Sequence, residues 1–217
     1  MRVTKEAQER REEILDAAEA LFASCGYAST STNDIIDRVG IARGTLYYHF
    51  RSKEEILDAV VLRFTQSLLD RAEQVAADTS VPLYDRIAMT MMALSSDTDL
   101  GRELLSCIHK SENALLHQKV QDIMIDKSSA VFARLIEEGN EEGVFSCAYP
   151  MEAASMIMTY AYIAFDSSRP IAEGERERVI MGFITNTEHL VGAESGSLVS
   201  VILRILTCNL LVGPKIQ

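Results

Sequence analysis

RGTLYYHFRSKEEIL, residues 43–57, sets Arg43, Thr45, Tyr47, Tyr48, His49, Arg51 and Lys53 within eleven positions. A short helix over 43–49 cannot bury Tyr47, Tyr48, His49 and Phe50 together, because at 3.6 residues per turn they point all round its axis. Aromatic rings interleaved with basic and hydroxyl groups suit a surface that meets something negative. Leu46 and Phe50 are spaced to turn inward, against Ile35, Val39 and Ile41.

The flanks define the motif. Ser31 with Asp34 three residues on is a capping box for a short helix over 32–38. Gly40 permits a tight turn, since glycine tolerates positive φ. Upstream, residues 5–24 read as a helix with Ile14, Leu15, Ala18, Leu21 and Phe22 on one face, ended by Gly26. Downstream, Ser52 with Glu55 is a second capping box. It opens a long fourth helix to about Ala77, with Ile56, Leu57, Val60, Val61, Phe64 and Leu68 as its apolar face.

Two short helices joined by a glycine turn, beside a longer one, describe a helix-turn-helix. The second short helix of that motif enters the major groove of DNA. Here it begins at Arg43, whose guanidinium can grip guanine O6 and N7. Thr45 can meet a base or a phosphate. Tyr47 can lie on a thymine methyl or donate to phosphate, while Tyr48 and His49 lie further round, toward the backbone. Lys53 opposes the dipole of the fourth helix at a cost of about 0.3–1 kcal/mol. A phosphate shared by the lysine and the helix N-terminus removes that objection.

The stretch TSTNDIIDRVGIARGTLYYHFRSKEEIL resembles the DNA-binding region of the tetracycline-repressor (TetR) family of transcriptional regulators. The likeness in residues covers roughly 10–60, with a weaker echo in EHLVGAESGSL (188–198). It implies phosphate contacts from Thr32, Tyr48, His49 and Lys53, and contacts to bases or nearby backbone from Arg43, Gly44, Thr45 and Tyr47. Two positions depart from the family pattern. Ala42 stands where Ser is usual, which removes a helix cap worth about 1 kcal/mol and a phosphate contact. Ile36 replaces a usually small residue.

The whole chain is consistent with this. Its net charge of -11 argues against a generally sticky nucleic-acid or membrane protein. Residues 1–63, however, carry nine Lys/Arg against eleven Asp/Glu, so the first quarter is close to neutral. Cys25, Cys107, Cys147 and Cys208 show neither C-x-x-C spacing nor a neighbouring histidine pattern, so reduced thiols, no metal and no cofactor are expected. The N-terminus is too charged for a signal peptide, and the expected location is cytoplasmic. Residues 195–214 approach the length of a membrane span. Ser197, Ser200, Arg204 and Thr207 instead mark a polar stripe on a mostly buried helix.

Four prolines in 217 residues and little β-branched alternation give an all-α reading. Further helices are expected over 82–95, 99–110, 112–139, 151–166, 173–191 and 197–211. The expected organisation is an N-terminal three-helix helix-turn-helix DNA-binding domain (1–52), joined by the long fourth helix to a helical ligand-binding and dimerisation domain (53–217). The family resemblance implies that second role. One short recognition helix reads only a few base pairs, so a dimer on two half-sites of a double-stranded operator is expected independently. The expected homodimer face is Ala153, Ile157, Ala161 and Ala164 with Ile180, Phe183 and Ile184, closing a four-helix bundle. Met89, Met91, Met92, Met124, Met156 and Met158 give the domain a soft interior. The pocket candidates for an unknown small-molecule effector are Met89, Met92, Cys107, Met124, Met156 and Tyr160. His109 and His117, eight apart, are spaced for one helix face and could orient a polar group.

Two other classes compete. An enzyme would need a nucleophile motif, a Cys–His pair, a phosphate loop or metal spacing, and the sequence carries none of these. A helical interaction or membrane-surface protein would use 195–214 and bind vesicles regardless of salt, whereas DNA binding weakens steeply with salt.

Overall fold

A computed structural model describes residues 2–95, 98–165 and 171–207. Among them are ten α-helices and no strand. They are Arg2–Cys25 (α1), Thr32–Val39 (α2), Arg43–His49 (α3), Lys53–Ala76 (α4), Leu83–Ala93 (α5), Asp99–Ile108 (α6), Ala114–Glu141 (α7), Pro150–Ala164 (α8), Arg176–Val191 (α9) and Val199–Thr207 (α10). The helix expected over 197–211 is described as far as 207; its last four residues lie outside the described ones. No described helix is long and apolar enough to cross a membrane.

The chain divides into two compact units. The first comprises Met1–Gln66 and Ser96–Val120, so it recruits α6 and the start of α7 to the helix-turn-helix. Its core draws Ile14, Leu15 and Phe22 from α1, Ile35 from α2, Leu46 from α3 and Ile56, Leu57 and Val60 from α4. Leu104, Cys107 and Ile108 of α6 complete it. Full burial of each large apolar side chain is worth roughly 1.5–3 kcal/mol. At the rim, Arg63 of α4 reaches Glu12, Asp16 and Glu19 of α1 at 3.0, 2.9 and 2.8 Å. The Arg11 guanidinium lies 5.0 Å over the Phe50 ring, tying α1 to the end of α3.

The second unit comprises Ser67–Ser95 and Gln121–Gln217. Here Arg86 is 2% exposed and pairs with Glu138, and it also donates to the Ala76 carbonyl at 3.1 Å. A buried charge needs such partners, since isolating it costs several kcal/mol. Glu188, 3% exposed, accepts from the amides of Gly196 and Leu198 at 3.0 and 2.9 Å. That carboxylate occupies the positive end of α10, which is the physical content of the EHLVGAESGSL string.

Candidate nucleic-acid interface

The recognition segment is held by local hydrogen bonds before any tertiary contact. Ser31 Oγ accepts from the Asp34 amide at 3.2 Å, and the Asp34 carboxylate accepts from the Ser31 amide at 2.7 Å. The Ser31 amide and then its hydroxyl, both donating to the Asp34 carboxylate, hold that carboxyl below its ordinary pKa. Gly40 closes α2 at φ 74, a left-handed conformation that a side chain would disfavour. Ala42 precedes α3 and supplies no side-chain cap. The second capping box forms only halfway. The Glu55 amide donates to Ser52 Oγ at 3.2 Å, but the Glu55 carboxylate turns to the Arg51 amide at 2.6 Å.

Leu46 is fully buried and Phe50 is 1% exposed, which fixes the rotation of α3. Arg43 and Gly44 are thereby exposed, and Thr45 and His49 are half-buried. Tyr47 is 39% and Tyr48 77% exposed. Three of the expected contact residues form one cluster. The Arg43 guanidinium lies 5.5 Å from the Tyr47 ring centre. Thr32, at the start of α2, hydrogen-bonds the Tyr47 hydroxyl, and Arg43 does so too; both lower its pKa. Tyr48 and His49 meet edge to face at 5.0 Å. Burial, then Arg11 and Arg10, depress the His49 pKa below its usual 6.5. The imidazole therefore carries less charge near neutrality than an exposed histidine does.

Lys53 has a partner the sequence does not advertise. Its ammonium sits 4.1 Å over the Tyr27 ring and donates to the Ala28 carbonyl at 3.4 Å. Tyr27 lies in the turn between α1 and α2, far from Lys53 in sequence. Only the core that packs α1 against α4 brings them together.

The residues expected in a ligand pocket do not share one place. Cys107 is buried in the core of the first unit, and Met124 is buried in the second. Met92 is half-buried, while Met89, Met156 and Tyr160 are exposed at 38%, 59% and 48%. The second unit instead holds an apolar cavity of about 80 Å³. It is lined by Ile87 and Met91 of α5, Phe132, Leu135 and Ile136 of α7, Ala154, Ile157, Met158 and Ala161 of α8, and Phe183, Thr187 and Val191 of α9. Phe145 and α10 close it, and the lining holds no charged side chain.

Ile157, Ala161 and Phe183, expected on a dimer face, thus line this cavity. Ala153 and Ile184 are buried within the same unit, and Ala164 and Ile180 are half-buried. The large apolar side chains that α8 and α9 expose are Met151, Met156, Tyr160 and Ile163 with Met181 and Leu190. Helix α8 is therefore rotated from the expected orientation: Met156 and Tyr160 exchange places with Ile157 and Ala161. His109 and His117 meet at 4.9 Å, but from the end of α6 and the first turns of α7 rather than along one helix. No group of three or more His, Cys, Asp or Glu among the described residues is arranged to hold a metal.

An outward basic and aromatic helix, locked by a capped neighbour, is the geometry of a DNA-reading helix-turn-helix. Residues 14–60 match the model for bacterial regulatory proteins of the tetR family, and residues 97–181 match the tetracyclin repressor-like C-terminal domain. The HTH-type transcriptional repressor KstR2 of Mycobacterium tuberculosis is 30% identical over 147 residues, 66% of this chain and 73% of that protein. The chain belongs to the TetR family of transcriptional regulators. TtgR of Pseudomonas putida, another regulator of this type, is 40% identical over 122 residues, 55% of each protein. The structure of SmeT, the repressor of a multidrug efflux pump in Stenotrophomonas maltophilia, superimposes with a TM-score of 0.51 at 26% identity. That match covers 86% of this chain and 91% of SmeT. The N-terminal TetR match spans α2, α3 and Lys53, so the clustered residues all lie within it.

Proposed function

We propose that this TetR-family regulator is a repressor that binds a palindromic operator as a homodimer and leaves it when a small, neutral, apolar molecule binds. The outward face of α3 carries the reading. Tyr48, 77% exposed, stands beside Arg43 and Tyr47 on a helix anchored through Leu46 and Phe50. Arg43, Gly44, Thr45 and Tyr47 face bases and nearby backbone, and Thr32, Tyr48, His49 and Lys53 face phosphates.

The homodimer uses α8 and α9 through Met156, Tyr160, Ile163 and Met181. Met156, Tyr160 and Ile163 recur at i, i+4 and i+7, one stripe of a helix, and each is more than 40% exposed. A contiguous apolar patch of this kind marks an association surface. Pairing with a second copy supports two half-sites read at once, about 34–36 Å apart.

The effector belongs in the α5, α7–α10 cavity. A charged ligand would lose its hydration there with nothing to replace it. An apolar cavity of about 150 Å³ holds benzene; the smaller one here admits such a ring when Met91 or Met158 changes rotamer, which methionine does readily. Helix α4, unbroken from Lys53 to Ala76 and shared by both units, is the element through which occupancy alters DNA affinity. Such coupling needs only a difference in ligand affinity between the two states. Residues 1–52, joined by Lys53, supply the DNA-binding part and the rest of 53–217 the ligand-binding and dimerising part, in a cytoplasmic protein.

Selection of bound duplexes from a random pool, followed by salt titration of the winner, tests this. A palindrome whose affinity falls steeply with salt is the expected result. No enrichment, with or without a neutral arene present, would reject the reading. Release of the selected operator by a carboxylated arene but not by its neutral parent would reject the apolar effector.

A further inference from the structure

We infer that Glu103 of α6 is a positioning residue for operator binding: its carboxylate holds the Tyr27 amide, and so the ring on which the Lys53 ammonium rests. The inference rests on the reading of Lys53 as a phosphate contact. Glu103 Oε1 accepts from the Tyr27 amide at 2.6 Å. The Cys107 thiol approaches the same oxygen at 3.7 Å. The thiol stays protonated and able to donate, its pKa pushed up to about 11 by burial first and Glu103 second. Leu104, Cys107 and Ile108 sink the neighbouring positions of α6 into the core of the first unit, so the carboxylate projects from a rigid element.

The Tyr27 side chain continues the chain of contacts. Its ring packs edge to face on Phe22 at 5.3 Å and carries Lys53 at 4.1 Å. Burial first, and then the charge of Glu54, the next residue of α4, raise the tyrosine pKa to about 12. The first residue of α4, Lys53, thus leans on one tyrosine, and the backbone of that tyrosine leans on Glu103. Gly26 supplies the left-handed backbone conformation that the turn requires. It sits at φ 82, where a side chain would be strained.

Charge alone predicts the opposite of positioning. Removing a carboxylate near a DNA-binding surface relieves repulsion of phosphate and strengthens binding. Positioning predicts that Glu103→Ala weakens binding, while Glu103→Gln, whose amide oxygen still accepts from the Tyr27 amide, does not.

The experiment uses the full chain and its selected operator, with affinity measured across a salt series. Lys53→Ala is expected to weaken all sequences alike and to lower the salt slope by about one. Glu103→Ala is expected to lose affinity by about three- to tenfold, the scale of one cation–π seating. Glu103→Gln should stay within about twofold of the parent, a surface-scale change. The Glu103→Ala/Lys53→Ala double variant should be no weaker than Lys53→Ala, because coupled residues are not additive. Tyr27→Leu, which removes the ring but not the turn, should repeat the Glu103→Ala loss and its non-additivity, and decides the matter if Glu103→Ala fails to fold. Loss with Lys53→Ala but none with Glu103→Ala and Tyr27→Leu, or losses that multiply in the double variant, would overturn the inference and leave the phosphate contact standing. No loss with Lys53→Ala would overturn both.

Discussion

Helices α3 and α8 both carry aromatic side chains that water reaches, and they do so for opposite reasons. In α3 the exposed rings of Tyr47 and Tyr48 alternate with Arg43, Thr45 and His49, while Leu46 alone of its seven residues is fully buried. In α8, PMEAASMIMTYAYIA is apolar nearly all round. Ala153, Ala154, Met158 and Ala161 are buried, yet Met156, Tyr160 and Ile163 remain exposed. Exposed rings set among cations suit a polyanion, whose phosphates take up the charges. Exposed rings set among more apolar groups suit a second protein surface. A helix apolar on every side is ordinarily a buried one.

The largest effect is expected at α8. Met158→Glu puts a carboxylate where 1% of the side chain is exposed, and is expected to cost at least about 4 kcal/mol in urea unfolding. Met156→Glu, two residues back, should leave the chain helical but shift its sedimentation to that of a monomer. A dimer that tolerates Met156→Glu would mean the exposed stripe of α8 has another use. At α3 the expected effect is smaller. Arg43→Ala should cost about 1–3 kcal/mol at the selected operator and relax preference at one base pair. An equal loss on every duplex would move Arg43 from base to phosphate.

Smaller again is Ala42→Ser, which supplies the missing cap and should stabilise the chain by about 1 kcal/mol in the same unfolding assay. No gain would mean that packing of Leu46 already holds the first turn. The last test is pH. His49 titrates below 6.5 in the unbound protein, through burial, Arg11 and Arg10. A phosphate beside it raises that pKa, so binding takes up a proton and affinity rises as pH falls through the window between the two values. The gain is at most about tenfold per pH unit for one proton. His49→Gln should flatten the profile; an unchanged profile would place the phosphate elsewhere.

Much of the first unit is readable without coordinates. Ser31, Asp34 and Gly40 act through bonds and backbone angles spanning a few residues, so their pattern survives in one dimension. Leu46 and Phe50 are apolar among polar neighbours, which fixes the rotation of α3 unaided. Glu103 is different. Nothing local marks it as the partner of Tyr27, because the bond joins residues 76 positions apart, and α6 arrives there only through its packing on α1. The halved capping box at Ser52 shows the same limit at short range. The Glu55 carboxylate accepts from the Arg51 amide and not from the amide of Ser52 that a capping box would use.

The sequence by itself determined the helix-turn-helix, the rotation of α3 and the family, because polar and apolar residues alternate there at helical spacing and caps act locally. Tertiary structure alone decided which side of α8 faces inward, where the cavity lies and what steadies Lys53. When every face of a helix is apolar, periodicity carries no direction, and the fit of neighbouring helices makes the choice.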